Sequence, residues 1–281
     1  MSKGLVLEGG GLRGIFTAGV LDYFMEQDLW FDTLIGVSAG ACHGCSYKAQ
    51  QPGRALRISV DYLDDPRYCS VRSLLTTGDM FGVDFCYRAI PDLLDPMDYA
   101  QFNKNPMRFF ATVTNLETGK AVYHEVANGY QDVTWVRASA SLPLVSRKVE
   151  IDGKYYLDGG IADSIPYLKS IHLGNDKNVV ILTRPKGYRK EPSSLQPLIA
   201  AEYRKYPKFV QASASRYLGY NQTLERLEQD EAAGKVFVIR PPESLNIGRT
   251  EKNKEKLTEG YHIGYQVTKE VFPALMEYLN N

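Results

Sequence analysis

Cysteine is scarce in this 281-residue chain, and neither sign of charge is in excess. The four cysteines (Cys42, Cys45, Cys69 and Cys86) are too few and too unevenly spaced for a disulfide framework, so we expect reduced thiols. Lysine plus arginine and aspartate plus glutamate number 33 each, a balance that argues against nucleic acid as a partner. Any contact with a membrane surface must then be local and peripheral.

Long apolar runs are missing as well. No stretch approaches the roughly 18 apolar residues of a membrane-spanning helix, and the initial Met-Ser-Lys-Gly leads into a strand-like run instead of a signal peptide. These features predict a cytoplasmic protein. The Cys42-His43-Gly44-Cys45 stretch has the form of half a metal clip, but no second pair stands at the companion spacing, so we expect no metal.

Apolar residues make up 44% of the chain, enough for one large core. Short apolar runs alternate with stretches of helical spacing, an order typical of an α/β fold. The predicted strands are residues 3–8, 33–37, 108–114, 121–126, 177–182 and 235–239, and the predicted helices are 14–28, 41–49, 209–230 and 253–278. We expect one domain over residues 1–281, with the functional motifs in 1–185 and a mainly helical addition over 186–281.

A glycine-rich loop follows the first predicted strand. It consists of Gly9, Gly10, Gly11, Leu12, Arg13 and Gly14. Because glycine loses much conformational entropy on folding, such a loop persists where the backbone takes unusual angles or closely approaches a ligand. The candidate ligands are a dinucleotide phosphate, another anion, or the oxyanion of an acyl-transfer reaction. Arg13 would either orient an anionic group or brace the loop.

The second predicted strand ends in a G-x-S-x-G pattern. Its residues are Gly36, Val37, Ser38, Ala39 and Gly40, and a helix-compatible run follows. This is the context of a nucleophile elbow, in which small neighbours let a strained serine turn sharply between strand and helix. Ser38 would project at the carboxyl edge of the sheet, beside the glycine loop. The amides of the loop and of Ala39 would then stabilise the negative charge that develops when a serine attacks an ester.

The glycine loop also satisfies the dinucleotide-binding pattern G-x-G-x-x-G, at Gly9, Gly11 and Gly14. That pattern needs an acidic residue near the end of the next strand. Here Asp32 precedes the strand and Ser38 follows it. Nucleotide binding is therefore the alternative interpretation, and hydrolysis by Ser38 the favoured one.

A serine nucleophile needs a base. The four histidines are His43, His124, His172 and His262, and none stands in a catalytic signature, so we expect surface or core roles for them. Asp152-Gly153 predicts the type I′ turn of a hairpin over residues 147–157. The return strand of that hairpin ends in Asp158-Gly159-Gly160, where the glycines let the backbone pack closely around a projecting carboxylate. Asp158 is thus the candidate to take the proton of Ser38.

Together these motifs resemble those of the patatin-like phospholipase family. The glycine loop is similar to the family's oxyanion loop, the stretch 36–40 to its elbow, and Asp158-Gly159-Gly160 to its D-G-[GA] motif. Residues 138–143 (ASASLP) are similar to the A-S-x-A-x-P stretch that often precedes the aspartate. Val37 stands where many members have threonine. The likeness covers residues 5–165, and we recognise no motif beyond residue 185.

The resemblance implies a three-layer α/β/α sandwich with a mainly parallel central sheet, on which the C-terminal helices pack. It also implies a dyad of Ser38 and Asp158 that hydrolyses acyl esters of phospholipids or lysophospholipids through an acyl-enzyme, without cofactor or metal. Beside nucleotide binding, a catalytically silent relative that binds lipid is the other alternative. The motifs specify neither head group, acyl length nor oligomeric state.

Two further stretches bear on access for a lipid. Residues 81–99 hold apolar side chains among prolines and aspartates, which favours ordinary packing, with an apolar cap over the site as the alternative. Residues 203–209, with Arg216 and Tyr217 beyond, interleave aromatic rings with cations. That pattern favours a solvated helix junction, and a surface for peripheral membrane contact is the alternative.

Overall fold

The computed structural model describes residues 1–281, and its eight strands form one sheet. The strands are β1 (Lys3–Leu7), β2 (Thr33–Val37), β3 (Arg108–Asn115), β4 (Ala121–Glu125), β5 (Val149–Ile151), β6 (Lys154–Asp158), β7 (Lys177–Ile181) and β8 (Val236–Ile239). The order is β5-β6-β3-β2-β1-β7-β8, and β4 also pairs with β3. Strands β3, β2, β1, β7 and β8 are neighbours in that order and pair in parallel, while β4, β5 and β6 make antiparallel pairs. The predicted α/β class is confirmed.

Helices cover both faces of the sheet. They are α1 (Ile15–Glu26), α2 (Ala39–Lys48), α3 (Arg54–Asp61), α4 (Val71–Thr77), α5 (Tyr99–Lys104), α6 (Val133–Ser139), α7 (Tyr167–His172), α8 (Gln196–Glu202), α9 (Pro207–Ala232) and α10 (Lys254–Asn280). Short 3₁₀ turns span Gly11–Gly14 and Gly159–Ile161, and a π-helix spans Phe85–Leu94. No helix has both the length and the apolar character that crossing a bilayer requires.

The alternation of side chains along the central strands produces the three layers. In β1, Leu5 and Leu7 join the larger core cluster with residues of α1 and α10, whereas Val6 joins a cluster on the opposite face with residues of α9. The same division recurs in β7, because successive side chains of a strand point to opposite faces. The helices near the C-terminus therefore pack on both sides of the sheet, α10 on one and α9 on the other.

Two strands meet end to end along one edge of β3. Strand β2 runs parallel to β3 until Val37 lies opposite Thr112, and β6 then pairs with β3 from Val113, which lies opposite Asp158. Both strands lie on the same side of β3, because β4 occupies its other side over the shared residues. The ends of β2 and β6 are therefore brought together by one residue step of β3.

Glycines allow α1 and α10 to pack with their backbones in close contact. A methyl group at Gly19 would come within 2.1 Å of the carbonyl oxygen of Tyr261, and one at Gly264 within 2.1 Å of that of Phe16. Tyr261 also donates a hydrogen bond of 2.8 Å to Asp22 of α1. The last helix of the chain is thus fixed directly to the first.

Candidate active site

Ser38 occupies the turn between β2 and α2. Its backbone has φ 56° and ψ −124°, a conformation that is strained for a residue with a side chain. Gly36 and Gly40 make that turn possible, because a methyl group at Gly36 would lie 2.6 Å from Cα of Ala41 and one at Gly40 would lie 2.6 Å from the carbonyl oxygen of Leu7. The geometry is that of the sharp strand-to-helix turn predicted from the sequence.

Asp158 ends β6 beside Ser38 and is only 2% exposed. Its Oδ1 accepts a 2.8 Å hydrogen bond from the amide of Gly160, while its buried Oδ2 has no hydrogen-bond partner. Burial raises the pKa of Asp158, and the nearby Ser38 hydroxyl and Arg216 guanidinium offset part of that shift. No hydrogen bond joins the Ser38 and Asp158 side chains in this conformation, although the hydroxyl is near enough to affect the carboxylate. Asp158 therefore keeps one buried carboxylate oxygen without a hydrogen-bond partner close to the serine.

The glycine loop lies against the elbow. A methyl group at Gly9 would come within 2.8 Å of Cβ of Ser38, and one at Gly14 within 2.8 Å of Cβ of Ala39. Gly11 has φ +57°, a left-handed conformation that favours glycine. The amides of Gly9, Gly10, Gly11 and Ala39 donate no hydrogen bond within the protein. Unused donors at the start of α2 and in this loop are what an oxyanion site needs.

Residues 138–143 brace both candidate catalytic residues, a role that the sequence did not predict for them. The hydroxyl of Ser139 accepts a 2.9 Å hydrogen bond from the amide of Ser38 and donates one of 2.7 Å to the carbonyl of Thr112. The carbonyl of Ser141 accepts a 2.8 Å hydrogen bond from the amide of Asp158. This segment therefore connects the two ends of β2 and β6.

No histidine is hydrogen-bonded to Ser38. His43 lies on α2, where burial lowers its pKa to about 4 and keeps the ring neutral. His124 stacks on Trp135 with ring centroids 4.0 Å apart. His172 ends α7, and His262 lies on α10, where its ring contacts that of Tyr261. These positions agree with the surface or core roles expected for the histidines.

An apolar cavity of about 170 Å³ opens on one side of Ser38. Residues 81–99 contribute Phe81, Cys86, Tyr87, Pro91, Met97 and Tyr99 to its wall. From α2, Cys42 and Cys45 also line it, and burial raises their pKa values to about 11 and about 12, so both thiols are neutral. The stretch 81–99 thus forms part of the wall of an apolar cavity that reaches Ser38, in addition to the ordinary packing that its sequence favours.

A second, polar cavity adjoins Ser38 on the other side. Its lining includes Glu8, the glycine loop, Asp158 and the five cations Arg13, Arg184, Lys190, Arg216 and Arg249. Ser38, Gly11 and Leu142 line both cavities. Three of the five cations, Lys190, Arg216 and Arg249, come from the part of the chain beyond residue 185, in which we recognise no motif, and Arg184 lies just before it. They are contributed by the segments after β7 and β8 and by α9, and only the fold brings them together.

Two of the three aromatic rings in the stretch 203–209 do not belong to the surface, and the third, that of Tyr206, is half-buried. Tyr203 and Phe209 are buried in a core cluster, while Arg204, Lys205 and Lys208 are exposed. Arg216, which the sequence analysis considers together with this stretch, lines the polar cavity instead. This arrangement agrees with the favoured helix junction.

Comparisons with known proteins cover most of the chain. A family model described as patatin-like phospholipase matches residues 5–169. A second model, described as a domain of unknown function (DUF6363), matches residues 206–280. The second match begins near the N-terminus of α9 and includes Arg216 and Arg249 of the polar cavity.

Individual relatives are similar over nearly the whole chain. The uncharacterized protein YjjU of Escherichia coli is 30% identical over 277 residues, which cover 92% of this chain and 74% of that protein. A protein named lysophospholipase nte1, from Aspergillus terreus, is 26% identical over 98% of this chain. A protein of the same name from Aspergillus oryzae is also 26% identical over 98% of this chain. The chain spans only 18% of the length of each of these two fungal proteins.

Proposed function

Because this chain belongs to the patatin-like phospholipase family, we propose that it is a serine hydrolase that cleaves acyl esters of lipids. The observation that carries the proposal is the pairing at the junction of β2 and β6. A strained serine at an elbow lies beside a buried aspartate whose Oδ2 has no partner. The fungal relatives named as lysophospholipases support lipid esters as the substrate class.

In the proposed reaction, the Oγ of Ser38 attacks the acyl carbonyl while its proton passes to Asp158. The unused amides of the glycine loop and of Ala39 stabilise the oxyanion of the tetrahedral intermediate. The carbonyl re-forms as the alcohol leaves with the proton from Asp158, and an acyl-serine remains. Water then attacks the acyl group and gives a proton to Asp158, and Oγ takes that proton back as the fatty acid departs.

Burial of Asp158 is suited to this role. A carboxylate with a pKa of about 3.9 is a weak base for a hydroxyl group. The raised pKa of Asp158 makes its carboxylate a stronger base, provided that it is ionised at the working pH. The apolar cavity next to Ser38 would receive the acyl chain.

A fluorophosphonate probe tests the proposal, because it labels only activated serines. We expect the wild-type protein to be labelled at Ser38, as located by peptide mass spectrometry, and Ser38→Ala to lose the label. Ser38→Ala should also lose acyl release from lysophospholipids by roughly 10⁴-fold or more. Ser215→Ala is the control, because Ser215 is exposed on α9 and bonded only to its own helix. Labelling that persists in Ser38→Ala would disprove the assignment.

A further inference from the structure

The polar cavity beside Ser38 holds an excess of positive charge, which its carboxylates offset only in part. Five cations line it against two carboxylates, those of Glu8 and Asp158. None of the five cations lies within ion-pair distance of a carboxylate, whereas Arg54, Arg189 and Arg240 elsewhere are each paired. Clustered like charges repel and lose solvation, so an arrangement of this kind is stabilised when an anion binds.

The hydrogen bonds in the cavity leave most side-chain donors of its cations available. Glu8 is already engaged, because its carboxylate accepts bonds of 2.6 Å from the hydroxyl of Tyr220 and 2.7 Å from the amide of Thr183. The buried Nε of Arg13 has no partner. Lys190 donates no hydrogen bond through its ammonium group, which lies over the ring of Tyr220. Arg13 and Arg216 each donate one hydrogen bond to a backbone carbonyl, that of Ile247 and that of Gly160 respectively. The remaining side-chain donors of the five cations make no hydrogen bond within the protein and are available to a ligand.

The size of the cavity limits what that ligand is. Its volume is about 40 Å³, which is room for about three water molecules at ~10–15 Å³ each. A phosphate group fits that space, whereas the trimethylammonium extension of a choline head group would have to lie outside it.

The aromatic rings of the cavity also argue against a choline head group. Quaternary ammonium groups are recognised by open faces of aromatic rings. Here the guanidinium of Arg184 lies 4.6 Å from the ring centre of Tyr188, and the ammonium of Lys190 lies 4.0 Å from that of Tyr220. Each ring already carries a cation of the protein on one face, so a further cation would meet like charge there.

We propose that this cavity binds the terminal phosphate of a lipid substrate whose head group is a phosphomonoester, such as a lysophosphatidate. The inference rests on the proposed ester hydrolysis at Ser38, which lines both cavities. The acyl chain lies in the apolar cavity, the ester carbonyl at Ser38, and the phosphate among the five cations. A phosphomonoester carries about −1.5 to −2 charges at pH 7, more than the single negative charge of a phosphodiester.

The titration of the cations supports this assignment. Burial and the neighbouring Arg216 lower the pKa of Lys190 to about 7, and burial and Arg184 lower that of Arg13 to about 10. Both cations therefore have an unfavourable environment when the cavity holds no anion. A bound phosphate dianion would reverse that effect and keep both charged.

A comparison of two substrates with the same acyl chain tests the proposal. For the wild-type protein we expect kcat/KM for lysophosphatidate to exceed that for lysophosphatidylcholine by at least about tenfold, the effect of one charge-assisted hydrogen bond. In Lys190→Gln and in Arg249→Gln the ratio should fall by about tenfold each. Arg249 is exposed, so its variant keeps the test valid should the first fail to fold. Equal kcat/KM values in the wild type would overturn the proposal.

The matched control is Arg189→Gln, which removes a neighbouring cation outside the cavity. Arg189 is paired with Glu228 at 3.0 Å, so its loss should leave the ratio between the two substrates unchanged. A ratio that falls equally in Arg189→Gln would mean that general surface charge produces the preference, which contradicts a specific subsite.

A binding experiment separates this inference from the proposed hydrolysis. Calorimetry on Ser38→Ala should detect glycerol 3-phosphate binding and at least tenfold weaker binding of glycerophosphocholine. If no ester is hydrolysed but glycerol 3-phosphate still binds in this way, the hydrolase proposal fails and the phosphate subsite stands. If esters are hydrolysed without this difference in binding, the subsite proposal fails alone. Inorganic phosphate that binds as tightly as glycerol 3-phosphate would indicate a site for free phosphate and overturn the assignment to a lipid.

Discussion

Asp158 is the residue where stability and the proposed chemistry conflict. Its carboxylate is buried at the end of β6, and Oδ2 makes no hydrogen bond. Desolvation raises the pKa of Asp158, which strengthens the base but makes the ionised form costly in the folded protein. Functional sites commonly retain such costs, because relieving them removes activity.

Replacing Asp158 with asparagine should separate the two effects. We expect Asp158→Asn to lose ester hydrolysis and yet to have a free energy of unfolding at pH 7 at least equal to that of the wild type, because the buried charge is gone. Because the folded-state pKa is raised, the native wild-type protein binds this proton more tightly than the unfolded chain. Lowering the pH from 7 towards the unfolded pKa should therefore stabilise the wild type relative to the variant.

Urea unfolding of both proteins at pH 7 and pH 5 measures this prediction, with acyl release as the activity readout. The difference in unfolding free energy should shrink at pH 5. A variant that is clearly less stable than the wild type at pH 7, or that remains active, would contradict the role given to Asp158.

Lys190 should make the substrate preference depend on pH. Burial and the charges of Arg216, Arg249 and Arg13 lower its pKa to about 7, while Glu8 acts in the opposite direction. As pH rises through 7, Lys190 loses its proton, so kcat/KM for lysophosphatidate should fall relative to that for a neutral short-chain ester. Lys190→Arg stays charged and should flatten this part of the profile. An unchanged profile in Lys190→Arg would exclude Lys190 as its source.

The site could be predicted from sequence only where it depends on local chain geometry. Ser38 and the glycines before Arg13 stand in short sequence patterns, because the geometry of their turns requires small residues at fixed positions. Asp158 lies at the end of a hairpin whose turn, Asp152-Gly153, is recognisable in the sequence. Arg184, Lys190, Arg216 and Arg249 have no such local requirement. These four cations are spread over 66 positions, so in the sequence they cannot be told from solvated surface charges. Only the folded structure shows that they line one cavity.

At the level of elements, the strands were predicted well because buried strands read as short apolar runs. Strand β2 has the predicted bounds, and Asp152 and Gly153 both have positive φ, as a type I′ turn requires. For residues 54–104 the sequence predicts no helix or strand. Its helices are short, and the π-helix over Phe85–Leu94 contains Pro91, so no regular period is present.

The crossing of α1 and α10 predicts a sensitive position. In Gly264→Ala the added methyl group would overlap the backbone of Phe16, so the helices must move apart. We expect a loss of at least about 1 kcal/mol in unfolding free energy, because an overpacking cost of about 1–3 kcal/mol outweighs the helix propensity gained. Thermal and urea unfolding measure it.

Gly219→Ala in α9 is the matched control. A methyl group there has no atom within 4 Å, so the change should stabilise the protein by about 0.8–1 kcal/mol through helix propensity alone. Equal effects of the two substitutions would show that the close contact between α1 and α10 is unimportant.

For the whole molecule, we propose that residues 1–281 fold as one unit. Helices α9 and α10 lie on opposite faces of the same sheet, and α10 packs on α1. Residues 186–281 therefore share their cores with residues 1–185 and have little of their own.

Chemical unfolding should accordingly be a single transition. Trp30 and Trp135 both report on residues 1–185, whereas far-ultraviolet circular dichroism is weighted by the long helices α9 and α10. The two signals should change at the same urea concentration with the same slope. A helical signal that is lost at lower urea than the tryptophan signal would show that the C-terminal segment unfolds independently.

The end-to-end meeting of β2 and β6 places the proposed dyad on a seam between the parallel and antiparallel parts of the sheet. The register places Val37, the residue before Ser38, and Asp158 one residue apart along β3, a rise of about 3.3 Å, so strand pairing and not a loop brings the two strand ends together. Insertions between β2 and β3, or after Asp158, would reshape the two cavities without altering this spacing. The position of the reacting atoms is thus independent of the segments that shape the two cavities, so substrate specificity can change while the dyad stays in place.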